Sequence, residues 1–68
     1  MEKKGTWIRH GNQSIIDLKT IEYITYGEGT KSFNIMFNSH EDFVQWLFDD
    51  EMDMLGVLEE IWEHIGEE

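Results

Sequence analysis

The densest run of groups able to do chemistry is Asp49-Asp50-Glu51-Met52-Asp53. Asp49, Glu51, Asp53 and Glu60 stand at positions 1, 3, 5 and 12 of a calcium-loop spacing. Such a loop needs glycine at its sixth position to turn around the ion, and Met54 stands there, with Gly56 two residues late. The run therefore reads as an acidic stripe on a helix. His10, His40 and His64 fit neither a His-Glu-x-x-His pair nor a finger spacing, so no zinc site is expected. The chain has no cysteine, and Ser14, Ser32 and Ser39 lie in no Gly-x-Ser-x-Gly context. Gly27-Glu28-Gly29 is a turn rather than a phosphate loop. Paired carboxylates do acid–base work only where burial raises one pKa, and a domain this small offers no deep cleft for that. Neither enzyme activity nor a cofactor is expected.

The elements that carry these residues belong to one domain of 68 residues, 40% hydrophobic and without proline. That composition folds, but a chain of this length buries only about 60% of its unfolded surface. With no disulfide or metal to supplement the core, a homodimer is expected. Fifteen acids against five Lys and Arg give a net charge of −10. This excludes an ordinary nucleic-acid binder, which must neutralise phosphates, and disfavours an anionic membrane surface. The basic start Met-Glu-Lys-Lys is not followed by the apolar run of a secretory signal, and no stretch approaches the roughly 20 apolar residues of a membrane span. A cytoplasmic location is the default expectation.

Short runs rich in β-branched and aromatic residues occupy the first half: Thr6 to His10, Ser14 to Leu18 and Ile21 to Tyr26. Lys19-Thr20 marks either a turn between two strands or a bulge within one. Gly27-Glu28-Gly29-Thr30 predicts a hairpin, and the returning strand alternates, with Phe33, Ile35 and Phe37 on one face and Ser32, Asn34 and Met36 on the other.

Beyond Asn38, Ser39 and Asp42 approximate a capping box. At about 100° per residue, Phe43, Val44, Leu47, Phe48, Met54, Leu55, Leu58, Ile61, Trp62 and Ile65 share one face, and Asp42, Asp49, Asp53, Glu60, Glu63 and Glu67 share the opposite one. The expected fold is therefore α+β, of the order βββα. An antiparallel sheet of three to four strands over residues 6–37 precedes one long helix over residues 39–66. Glu51 falls within the apolar stripe, so a kink is expected near it. A helix of this length would overhang its sheet and leave Leu55, Leu58, Ile61, Trp62 and Ile65 for the dimer interface. The alternative is a helix that breaks near Glu51 and folds back on its own sheet.

Residues 1–31 hold four acids and five bases, whereas residues 32–68 hold eleven acids and no Lys or Arg. A solvated helix ordinarily interleaves Lys or Arg at i+4 for a few tenths of a kcal/mol per pair, and this one accepts repulsion instead. One reading is solubility alone. The other is imitation of a nucleic-acid backbone, with carboxylates spaced along the helix where a basic groove expects phosphates. Trp46, on the acidic side of the wheel, is a candidate interface anchor or a residue packed at the sheet edge.

A short βββα chain with a net charge of −10 and a wholly acidic helix resembles the small acidic proteins that bacteriophages make to occupy host DNA-binding proteins. In size and charge layout it is similar to the phage inhibitors of the bacterial histone-like protein HU, which as a class act as dimeric DNA mimics in host takeover. The resemblance covers residues 32–68. It implies that Asp49, Asp50, Asp53, Glu59, Glu60, Glu63 and Glu67 stand in for phosphates against a basic DNA-binding protein of the HU type. The nearly neutral first 31 residues depart from mimics that are acidic throughout.

Overall fold

Two short strands open the chain, β1 (Glu2–Lys4) and β2 (Trp7–Arg9), in a computed structural model that describes residues 1–30 and 32–66. They pair antiparallel through the two-residue turn Gly5-Thr6, in which only Gly5 has a positive φ, +61°, as a type II′ turn requires. β3 (Ile16–Asp17) pairs on the other side of β2 and sets Ile16 opposite Ile8, the one inward residue of β2. Asp17 then holds a 3₁₀ turn over Leu18–Thr20. Its carboxylate accepts from the Lys19 amide at 3.1 Å and from the Thr6 hydroxyl at 2.8 Å. Lys19-Thr20 is thus a turn between strands rather than a bulge.

The second sheet is a meander of β4 (Tyr23–Glu28), β5 (Phe33–Asn38) and β6 (Phe43–Phe48). Its register aligns the rows Ile24–Phe37–Val44 and Tyr26–Ile35–Trp46 on the inner face. Tyr23, Thr25, Met36, Gln45 and Leu47 belong to the outer face. Ile35, Phe37 and Trp46 are fully buried, and Phe37 meets Trp46 edge-on with ring centroids 4.8 Å apart. The indole Nε1 of Trp46 donates to the Ser14 carbonyl at 2.8 Å, fastening β6 to the segment that leads into β3.

The helix α1 (Glu51–Gly66) crosses β5 and β6 and buries Met54, Val57 and Ile61, an i, i+3, i+7 stripe. Sixteen residues make about 24 Å of helix, close to the roughly 20 Å of a six-residue strand, so it matches its sheet instead of overhanging it. No described helix is long and apolar enough to cross a membrane.

The α+β class and the C-terminal helix stand; four features of the expected architecture do not. The single sheet over residues 6–37 is two three-stranded sheets that begin at Glu2 and end at Phe48. The helix expected over 39–66 starts at Glu51, because residues 43–48 form β6. Phe43, Val44, Leu47 and Phe48 fit a helical face by spacing, but Val44, Trp46 and Phe48 alternate inward against exposed Phe43, Gln45 and Leu47. Ser39 and Asp42 close the β5–β6 hairpin, where the Asp42 carbonyl accepts from the Ser39 amide at 2.8 Å and its hydroxyl at 2.9 Å. The helix cap is Asp50, whose carboxylate accepts from the Met52 amide and whose carbonyl accepts from the Met54 amide, each at 3.1 Å. Glu51, expected to mark a kink, is the exposed first residue of the helix.

Candidate functional site

The faces of α1 meet three surroundings. One is the core stripe. Asp53, Glu60 and Glu63, at i, i+7 and i+10, lie on a second face, and the first and last of them are exposed. Glu60 is half-buried and has the Met1 ammonium 3.5 Å from its carboxylate. Asp53 and Glu60 flank a shallow depression with His10, Met52, Gly56 and Val57. Asp49 and Asp50 precede the helix in an exposed turn, so they extend this acidic surface at its N-terminal end without sharing the helical periodicity, and Asp50 is engaged as the cap. Glu59 is exposed but stands apart from the row, one turn from Leu55 and Trp62. Glu67 lies outside the described residues. Among the described residues, no Lys or Arg side chain pairs with an acid of α1.

The third face is apolar and uncovered. Leu55, Trp62 and Ile65 are exposed, Trp62 to 78%, while Leu58 is half-buried against the core. Ile61, expected in the dimer interface with these four, belongs to the core of its own chain at 1% exposure. Between this flank and β4 runs a groove of about 550 Å³, walled by Leu18, Ile21, Ile24 and Tyr26 on one side and Leu58, Trp62 and Ile65 on the other. The groove was illegible in the sequence because it arises from placement: α1 packs on β5 and β6, and the inner side chains of β4 are left beside it.

Trp46, a candidate anchor on the acidic side, is instead a core residue of β6. His10 packs its ring 5.4 Å from Phe48 and 6.2 Å from Trp46. His64 places Nε2 2.6 Å from the Gly5 carbonyl, tying the end of α1 to the β1–β2 turn. No group of three or more His, Asp or Glu side chains among the described residues is placed to hold a metal ion. The outer sheet face presents Asn34 and Met36 half-buried beside exposed Phe43 and Leu47.

No family model, curated protein or solved structure matches the chain.

Proposed function

We propose that this protein is a cytoplasmic, non-catalytic inhibitor that acts as a DNA mimic. In this reading its acidic surface occupies the DNA-binding groove of a basic protein, of the kind represented by the histone-like protein HU. The observation that carries this reading is the segregation of charge on α1. Asp53, Glu60 and Glu63 share one side, Asp49 and Asp50 continue it, and no Lys or Arg occurs from Ser32 onward. A row this short, roughly 15 Å from Asp53 to Glu63 at 1.5 Å per residue, matches a few phosphates of one strand rather than a whole binding site. Two copies would present two rows and a formal charge of −20, twice the −10 of one chain.

The test is a pull-down from bacterial lysate over a salt series. Enrichment of basic nucleoid proteins that is lost at a few hundred millimolar salt supports the reading, because exposed ion contacts are screened over such a range. A catch indifferent to salt, or no catch, contradicts it.

A second reading has its own observation. The exposed flank of Leu55, Trp62 and Ile65, with half-buried Leu58 beside it, supports a homodimeric interaction module in which the acids serve only solubility.

A further inference from the structure

We propose that a second copy of this chain docks on the free edge of β4, joining the two three-stranded meanders into one six-stranded sheet and closing the two grooves over each other. The proposal deepens the homodimer reading by assigning the face.

The two outer strands of the meander are treated differently. Along β6 the Gln13 side chain donates to the Leu47 carbonyl at 2.6 Å, and Trp46 anchors the neighbouring Ser14. Among the described strands, β4 pairs with β5 alone. The hairpin bond from the Gly29 amide to the Ser32 carbonyl fixes the parity of the ladder, so that odd-numbered residues of β4 bond to β5. The backbone groups of Ile24, Tyr26 and Glu28 then point toward the open edge. Soluble proteins blunt such edges with Lys, Pro or bulges, and Tyr23–Glu28 carries neither Lys nor Pro.

A two-fold axis perpendicular to the sheet pairs β4 with its own copy antiparallel and keeps both inner faces on the same side. The two α1 helices then lie side by side, and Trp62 and Ile65 of each meet across the axis. Tyr23, Tyr26 and Trp62 are 58%, 59% and 78% exposed. At 150–250 Å² per aromatic side chain they supply roughly half of the ~800 Å² per partner that a specific interface covers. Most of the acids of α1 lie away from this contact, although Glu28 of β4 and Glu59 beside Trp62 border it. The charged residues walling the groove are Lys19 and Glu22, which offset one another, while Asp53, Glu60 and Glu63 lie on the opposite side of α1.

The full chain has no cysteine, so Thr25→Cys on the exposed outer side of β4 and Asp53→Cys on the acidic side each give a single thiol. Each variant is weighed by sedimentation equilibrium and treated with a short bismaleimide, the wild type being weighed alongside. The expected result is a dimer in which Thr25→Cys links in high yield and Asp53→Cys does not. A dimer in which Thr25→Cys fails to link, or both link equally, overturns the β4 face and leaves the homodimer. A wild type that is monomeric up to about 100 µM overturns both.

Discussion

Ile61 and Trp62 are consecutive residues of α1 that face opposite surroundings, the first 1% exposed in the core and the second 78% exposed beside the groove. Replacing Ile61 by Ala removes buried methyl groups where Phe37 and Trp46 also pack, and the expected cost is about 2–5 kcal/mol in urea unfolding. Replacing Trp62 by Ala changes the stability of the dilute chain by less than about 0.5 kcal/mol. Equal losses at the two positions would show that Trp62 is covered even within one chain.

Trp46 combines a fully buried ring with the 2.8 Å bond to the Ser14 carbonyl. Trp46→Phe gives up that bond, worth about 0.5–1.5 kcal/mol, and leaves a void, so a total loss of about 1–3 kcal/mol is expected in equilibrium unfolding. Ser14→Ala keeps the backbone acceptor and should be neutral within about 0.5 kcal/mol.

The start of α1 is tested by Asp50→Ala. Removing a cap that satisfies the Met52 amide costs about 0.5–2 kcal/mol, and circular dichroism should show some loss of helix from its N-terminal end. An unchanged transition would mean that Asp50 does not cap the helix.

Much of the first half was legible because β-branched and aromatic runs separated by glycine turns leave few alternatives. The inward set Phe33, Ile35 and Phe37 is as the alternation predicts, whereas Gly27 and Glu28, expected in the hairpin turn, instead extend β4 and pair with Asn34 and Phe33. Residues 43–48 were misread because positions 43, 44, 47 and 48 satisfy a 3.6-residue period as well as β6 allows. Trp46 decided the matter through burial against Phe37, a tertiary contact that no local period encodes. β1 was missed for a related reason: Glu-Lys-Lys has no strand pattern, and its pairing comes from the Gly5-Thr6 turn and β2. In the candidate site, the Asp53, Glu60 and Glu63 spacing survived the shorter helix because it lies wholly after Glu51. The groove depends on which strand α1 leaves uncovered, which periodicity does not carry.

Neutralising Asp49, Asp53, Glu60 and Glu63 to Asn or Gln should leave the fold intact. Like charges on one side oppose the helix, and the single, partly buried pair between Glu60 and the Met1 ammonium, at 3.5 Å, is the one contact among the described residues that the substitutions remove. Thermal unfolding of the quadruple variant checks this; a large loss of stability would assign the acids a structural role.

The most direct test of the DNA-mimic proposal uses fluorescence anisotropy of a labelled DNA duplex held by a histone-like protein of the HU type. Wild-type chain added to the complex is expected to release the duplex, with a competing affinity that falls steeply as salt rises. The quadruple variant should compete far more weakly and with a shallower salt slope, since fewer ion contacts remain to be screened. A wild type that leaves the duplex bound at low salt, or a quadruple variant that displaces it as well as wild type at every salt concentration, would contradict the mimic.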